Sequence, residues 1–360
     1  MIPVTKTYLP RIDEYMAQIK RAFDNQWLTN RGELVVELEQ KIKLTLGLSD
    51  TSFLITNNGT IPLQIAVKIL GGGGEVITTP FSYVATTSSI VWENCTPVFV
   101  DIDSQHLTID ERLIESAITK RTTAILATHV FGNPCHVEAI EGIARKHNLK
   151  VIYDAAHCFG VNYRGKSIFE YGDISTCSFH ATKLFHCGEG GGLFASDKEL
   201  FHKAYYSHNF GHNGPLDFHG LGINGKISEL QAAMGLAVLP HFDEILSARK
   251  AIVSAYETQL NSNGLQSISI REQTDWNYSY YPVMFQSEAE LLRVVEALNK
   301  RDIFPRRYFY PSLSTLPYLS STHHTPIAND ISKRIACLPL YTGLSEESLN
   351  DIIQIINENL

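Results

Sequence analysis

No run in this chain approaches the roughly 20 consecutive apolar residues that a membrane-spanning helix requires. The opening Met1-Ile2-Pro3-Val4-Thr5-Lys6 has neither the basic flank nor the apolar stretch of a secretory signal. These absences lead to the expectation of a cytoplasmic protein with no membrane attachment. Cysteine is sparse: Cys95, Cys135, Cys158, Cys177, Cys187 and Cys337 are scattered, with no C-x-x-C pair, which argues against a disulfide framework and for reduced, buried thiols. Positive charge is in deficit, since 30 Lys and Arg against 38 Asp and Glu leave a net charge of −8. That balance opposes attraction to a nucleic-acid backbone and still permits a local pocket for a small anion. Internal repeats, low-complexity segments and long polar linkers are missing as well.

What remains is an ordinary globular composition, 44% hydrophobic and 19% charged, in a length that suits one large domain and one smaller one. Apolar segments alternate with helical patterns, the cadence of an α/β domain with a mostly parallel sheet. Ala124-Ile125-Leu126-Ala127 reads as a strand, the stretch from Val137 to His147 carries Ile140, Ile143 and Ala144 at helical spacing, and Lys150-Val151-Ile152-Tyr153 returns as the next strand. In such sheets ligands gather beyond the carboxyl ends of the strands, here at Asp154. The segment 236–260 reads as a long helix bridging two domains. Beyond it the pattern changes: 278–285 reads as a strand, Ser287-Glu288-Ala289-Glu290 has capping-box spacing ahead of a helix, 303–310 reads as extended, and a last helix opens near Ser345. The expected division is a large α/β domain over residues 1–245 and a small C-terminal α+β domain over 246–360.

The chemistry centres on Lys183, 29 residues after Asp154, each beside a strand-like run. Pyridoxal phosphate requires an amine to hold its aldehyde as a Schiff base and a carboxylate to keep its pyridine nitrogen protonated. Thr56-Asn57-Asn58-Gly59-Thr60-Ile61-Pro62 follows a strand-like Phe53-Leu54-Ile55 and opens a helix. Free amides of Gly59, Thr60 and Ile61, with the positive end of the helix dipole, can hold a phosphate there. Ser178 adds a hydroxyl, Gly188-Glu189-Gly190-Gly191-Gly192 adds close backbone, His157 lies three residues after Asp154, and Tyr83 offers a face for stacking. Each also fits a structural role: Asp154 a helix cap, Lys183 a solvated lysine, Tyr83 a core aromatic. The assignment rests on their conjunction.

Assembled, these residues resemble the DegT-type sugar aminotransferases, fold type I pyridoxal phosphate enzymes. The likeness runs through Asn58-Gly59-Thr60, Thr96-Pro97-Val98-Phe99-Val100-Asp101-Ile102-Asp103, His129-Val130-Phe131-Gly132, Asp154-Ala155-Ala156-His157, Ser178-Phe179-His180-Ala181-Thr182-Lys183, Gly188-Glu189-Gly190-Gly191 and Ser228-Glu229-Leu230-Gln231-Ala232-Ala233. The resemblance implies that Lys183 carries the Schiff base and later shuttles the proton, that Asp154 pairs with the pyridine nitrogen, and that His157 lies by the phenolic oxygen. It puts Tyr83 in the stacking position and Gly59, Thr60 and Ser178 at the phosphate. It makes Asn224 a residue lent across the interface of a homodimer. The family commonly continues that asparagine with a bulky residue and an arginine, whereas here Gly225 and Lys226 follow, and lysine supplies charge without a bidentate fork. Relatives that dehydrate their sugar carry histidine in place of the Schiff-base lysine, so Lys183 favours amino transfer.

The implied reaction takes an amino group from L-glutamate, through pyridoxamine phosphate, to a nucleotide-linked keto-sugar. The stretch Phe304-Pro305-Arg306-Arg307-Tyr308-Phe309-Tyr310-Pro311 resembles the part of the small domain that closes over the sugar, with Arg306, Arg307 and Tyr310 as candidate contacts. It leans toward enzymes acting on dTDP-4-keto-6-deoxyglucose for surface polysaccharide. A 3-keto-sugar aminotransferase and a non-catalytic cofactor-binding sensor stay open. A zinc site from His157, Cys158, His180, His186 and Cys187 lacks a standard ligand spacing. A nicotinamide fold is weaker still, because Gly71-Gly72-Gly73-Gly74 precedes a strand where the fingerprint should follow one.

Overall fold

The computed structural model describes residues 1–260, 264–319 and 323–360. Its large sheet has seven strands, β1 (Ser52–Thr56), β2 (Glu75–Thr78), β3 (Thr96–Phe99), β4 (Thr122–Thr128), β5 (Lys150–Asp154), β6 (Ile174–Ser178) and β7 (Gly191–Ala195), in the spatial order β1-β7-β6-β5-β4-β2-β3. Six strands run parallel, and β7 lies antiparallel between β1 and β6. The central strands are buried along nearly their whole length, as expected of a sheet covered on both faces. The helix Val137–His147 returns the chain from β4 to β5, with the bounds its apolar spacing predicts. This is the architecture of fold type I.

Register decides where the site falls. Thr128 pairs with Asp154, and Asp154 with Thr176, so the carboxyl ends of β4, β5 and β6 finish in one row. Because β7 is antiparallel, its first residue, Gly191, sits between Thr56 and Ser178. The loops leaving β1 and β6 are thereby brought together, with the glycine run beside them. The approach is tight: a Cβ on Gly191 would lie 2.2 Å from the Asn58 carbonyl oxygen, and one on Gly59 2.8 Å from Ser178 Cβ.

The segment 236–260 is not one helix. A first helix, Glu229–Val238, ends in a 3-10 turn over Leu239–His241, and the bridging helix runs from Phe242 to Gln259, because Pro240 has no amide hydrogen and cannot continue the first. Ile245 of the bridging helix packs into the large core, while Ile252, Val253 and Tyr256 pack into a second core. That second core is formed on the antiparallel strands β8 (Gln266–Ser267), β9 (Tyr281–Met284) and β10 (Ile335–Leu338), order β8-β9-β10, with helices Glu288–Asn299 and Glu346–Asn359. The strand expected over 278–285 is shorter, and of 303–310 only Ile303–Phe304 forms a strand. Ser287 Oγ accepts from the Glu290 amide, but the Glu290 carboxylate bonds the Gln286 amide (2.8 Å) instead of closing the expected box on Ser287.

Two family-like stretches turn out to hold the scaffold. Asp101 accepts from the Ile327 and Ala328 amides (2.8 and 2.9 Å), capping the small-domain helix Pro326–Arg334 from the end of β3. Glu229 accepts from the Leu34 and Val35 amides, and Gln231 donates to the Glu189 carbonyl (2.9 Å), tying down the glycine loop.

Glycine 191 and the open-space helical Gly142 should respond with opposite signs to alanine. Gly191→Ala overpacks against backbone and is expected to cost ~1–3 kcal/mol, whereas Gly142→Ala should stabilise by ~0.5–1 kcal/mol. Chemical denaturation of both variants checks this, and equal midpoints would contradict it.

Candidate active site

A cavity of about 560 Å³ opens at the carboxyl ends of β1, β5 and β6 and is closed on its far side by the small domain. Asp154, the last residue of β5, is buried. One carboxylate oxygen accepts from the Thr86 hydroxyl (2.6 Å) and the other from the Ala156 amide (3.1 Å). Thr86 in turn contacts Ser82 (2.7 Å), and Thr128 donates to Ser82 (3.1 Å). Because Thr86 donates to the carboxylate, its oxygen is left to accept from Ser82, and the row of buried hydroxyls points its protons toward Asp154. Burial still raises the Asp154 pKa above the usual carboxylate value, against the lowering effect of Thr86, the Ala156 amide and Lys183.

Lys183 follows β6, is half-buried and lies on the cavity wall. Burial lowers its pKa, and the nearby Tyr308 and Asp154 pull the other way. His157 is buried, its ring parallel to Phe131 and Phe309. Its Nδ1 accepts from the Phe131 amide (3.1 Å), and burial drives its pKa well below the ordinary value. The ring is therefore neutral with its proton on Nε2, a fixed donor.

Tyr83, at the N-terminus of the helix Val84–Trp92, also lines the cavity and is 52% exposed, so it is not a core aromatic. Gly59, Thr60 and Ser178 line the same space. One expectation needs correction: the amides of Thr60 and Ile61 are not free, because the Asn58 side-chain oxygen accepts from both (2.9 and 3.0 Å). Ile61 itself is absent from the cavity wall. The contribution left at this turn is the Gly59 amide and the Thr60 hydroxyl, with the hydroxyl of Ser178.

Arg306 lines the cavity and lies at the protein surface. Arg307 and Tyr310 do not line it. The Arg307 guanidinium holds Glu288 (2.6 Å) and the Lys333 carbonyl (2.7 Å) and stacks on Tyr310 at 3.6 Å, so these two brace each other outside the wall. Asn224 is exposed, does not line the cavity of its own chain, and accepts from Lys226 Nζ (2.8 Å). Sequence reasoning missed Tyr280, Tyr308 and Phe309, which close the cavity from the small domain, and Thr86 behind Asp154. Among the described residues, no group of three or more His, Cys, Asp or Glu side chains could hold a metal ion, and no helix is long and apolar enough to cross a membrane.

A family model described as the DegT/DnrJ/EryC1/StrS aminotransferase family matches residues 11–357. The chain belongs to this family. As a DegT/DnrJ/EryC1/StrS aminotransferase it is 40% identical over 367 residues to dTDP-4-amino-4,6-dideoxy-D-glucose transaminase of Escherichia coli, covering 99% of this chain and 98% of that relative. It is 41% identical over 361 residues to the enzyme of the same name from Shigella dysenteriae, with the same coverage. Among solved structures, DesI in the presence of its TDP-sugar product superposes with a TM-score of 0.92 at 29% identity, covering 99% of this chain and 92% of that one.

The opposed shifts of Asp154 and Lys183 predict a pH signature. With Asp154 raised above 3.8, the folded state binds the extra proton just above that pH, so stability falls as pH rises there. With Lys183 lowered below 10.5, the unfolded state binds the extra proton just below that pH, so stability rises toward it. The double variant Asp154→Asn with Lys183→Met should lose both slopes. It should also gain about 1 kcal/mol near neutrality without cofactor, the low end of such replacements because the cavity admits water. Denaturation midpoints across the pH range measure it, and unchanged slopes would refute it.

Proposed function

We propose that this aminotransferase uses pyridoxal 5'-phosphate to move an amino group from L-glutamate to a nucleotide-linked 4-keto-6-deoxy sugar, dTDP-4-keto-6-deoxyglucose, in surface polysaccharide biosynthesis. The observation that carries the cofactor is the amine of Lys183 and the buried carboxylate of Asp154 in one cavity. The donor set fits: an amine, an acid, a fixed imidazole N–H and two hydroxyls, in a space of about 560 Å³, within the range of small-molecule sites. The sugar follows from the names of the two transaminases, 40% and 41% identical over nearly their whole length.

When bound, pyridoxal phosphate supplies an electron sink for the charge released when a proton leaves the carbon beside nitrogen. Asp154 would face the pyridine nitrogen, with the hydroxyl row behind it favouring the charged carboxylate. Nε2–H of His157 would donate to the phenolic oxygen, Gly59, Thr60 and Ser178 would hold the phosphate, and Tyr83 would cover the ring. Lys183 would hold the aldehyde and, once free, move the proton. Its lowered pKa makes the neutral amine more available near neutral pH. Of the three small-domain candidates, Arg306 is the one placed for the anionic part of the substrate, while Arg307 and Tyr310 would act only through a local rearrangement.

A homodimer completes this reading. Ile12, Met16 and Phe23 are exposed at helical spacing on the helix Ile12–Asp24, and Leu216, Phe218 and Leu221 are exposed on the stretch leading to Asn224. These apolar faces suit burial against a second copy, which would bring in the partner's Asn224.

Borohydride treatment of the cofactor-loaded protein should leave a pyridoxyl group on the Lys183 peptide. Lys183→Ala should lose both that label and at least ~10²-fold in turnover, and label at another lysine would end the assignment. With L-glutamate and a panel of dTDP-4-keto, dTDP-3-keto and GDP-linked keto-sugars, the 4-amino product from the first is expected, and inactivity on all would exclude the substrate class. Met16→Glu with Phe23→Glu should convert a species of twice the chain mass to monomer by light scattering, with loss of turnover. A monomeric parent of full activity would refute the shared site.

A further inference from the structure

Tyr280 lies just before β9, where side chains alternate. Tyr281 points into the small core, stacked on Tyr256 at 5.1 Å, while Tyr280 points the other way, onto the cavity. Its ring is held between His157 (4.8 Å) and Tyr308 (5.3 Å, edge-on). Its backbone is fixed by an unusual clamp. Arg249, buried in the bridging helix, meets no carboxylate among the described residues and donates instead to the carbonyls of Tyr278 (2.9 Å), Ser279 (2.5 Å) and Leu340 (2.9 Å). A cation immobilised on three carbonyls sets the strand that presents Tyr280, and the phenol oxygen stands 3.3 Å from Lys183 Nζ. Tyr308, packed edge-on against Tyr280, also lines the cavity, under the Arg306 guanidinium at 4.4 Å.

We propose that Tyr280 and Tyr308 form a two-phenol proton relay that positions the free Lys183 amine and connects it to the cavity. A neutral phenol both accepts and donates, so each member can reverse its role. When Lys183 is an ammonium it donates to Tyr280 oxygen while Tyr280 hands its own proton to Tyr308. Tyr308 then releases its proton to water or to a substrate oxygen in the cavity. One proton leaves the lysine and one enters the cavity, no covalent bond between heavy atoms changes, and the reverse sequence reprotonates the amine.

The charged and titratable surroundings agree with this direction of transfer. Facing Lys183 from the large domain are Asp154, His157, Cys177 and Tyr83. Of the two carboxylates on the cavity wall, Asp154 has its oxygens taken up by Thr86 and the Ala156 amide, and Glu189 lies beside His180 at 3.6 Å. Around Tyr280 stand Arg249, Arg306 and Cys337, and burial raises its pKa to about 12, which keeps the phenol neutral across the working range.

The proposal rests on the reading of Lys183 as the proton-moving amine, and its test separates the two. In the full-length, cofactor-loaded protein, Tyr280→Phe should keep the borohydride label on Lys183 while kcat falls about 100-fold with KM nearly unchanged. In the cofactor-free full chain, the pH midpoint for modification of Lys183 by acetic anhydride, read by peptide mass spectrometry, should fall. The lost phenol was an acceptor for the ammonium, and charge-assisted bonds are the stronger ones. A kcat within a few-fold of the parent, or a midpoint that stays or rises, would overturn the relay. If Tyr280→Phe does not fold, Tyr308→Phe serves: it should lower kcat similarly, and an unchanged kcat would equally overturn it. Absence of the label on Lys183 in the parent protein would instead remove the underlying reading.

Discussion

The constraint on which the rest depends is the placing of an amine and a carboxylate in one cavity where burial disfavours the charge of each. Burial pushes Asp154 up and Lys183 down, so each is driven toward its neutral form and each partly rescues the other's charge. Neither would be retained for stability, since buried ion pairs contribute little on balance. What the arrangement provides is a pair of groups whose proton affinities respond to whatever enters between them. The surroundings are weighted toward the charged acid. The row Thr128, Ser82, Thr86 directs three hydroxyl protons at Asp154, and these residues come from β4, from the end of a loop and from a helix, so the electrostatics of the site is set by the fold and not by one motif.

A second consequence concerns the small domain. It does not merely cover the cavity; it supplies Tyr280, Tyr308 and Phe309 to the wall. Their position depends on two joints that lie outside the cavity. Asp101 caps the helix Pro326–Arg334 across the domain boundary, with two charge-assisted amide bonds that also complement the helix dipole. Arg249 clamps three carbonyls from the bridging helix. An apolar cluster containing Phe81, Val130, Phe131, Tyr280, Phe309 and Ile335 joins the two sides. On the proposed reading, chemistry at Lys183 is thus coupled through packed side chains to the docking of the strands and helices that carry Tyr280 and Phe309.

Much of the large domain was legible from the chain alone, because its evidence is local and periodic. The strand, helix, strand succession around 122–154 carries its own hydrophobic spacing, and Asp154 and Lys183 sit where such strands end. The glycines at 59 and 191 were legible as loop elements, yet their reason, contact of the two loops with each other across an antiparallel strand, depends on register, which no single segment encodes. The Asn58 cap was hidden for a similar reason: a side chain one residue before Gly59 takes up the amides that a motif reading leaves to phosphate. Pro240 split the expected long helix by the ordinary loss of a donor, a signal present in the sequence and given too little weight. Tyr280 was the least legible. In Tyr278-Ser279-Tyr280-Tyr281 nothing local says which tyrosine enters the small core and which meets a lysine 97 residues away.

The two ends of the cavity are therefore built differently, and this bears on how substrate is distinguished. The cofactor end rests on strand termini locked by ladder hydrogen bonds, on helix starts and on glycine contacts with backbone, none of which tolerates much displacement. The end proposed for the sugar is formed by side chains on the irregular segment after Ile303–Phe304, where Arg306 is held by an isolated bridge to Cys337 and by stacking on Tyr308, and Arg307 is held by Glu288 and Tyr310. Contacts of that kind can be exchanged one side chain at a time without disturbing the sheet. On the proposed reading, change in the sugar accepted is thus cheap at 304–311 and costly at 56–60 or 178–191. The Arg307–Glu288–Tyr310 brace marks where the first segment meets the fixed scaffold, because releasing it would free a second guanidinium for an anionic substrate while leaving Asp154 and Lys183 where they stand.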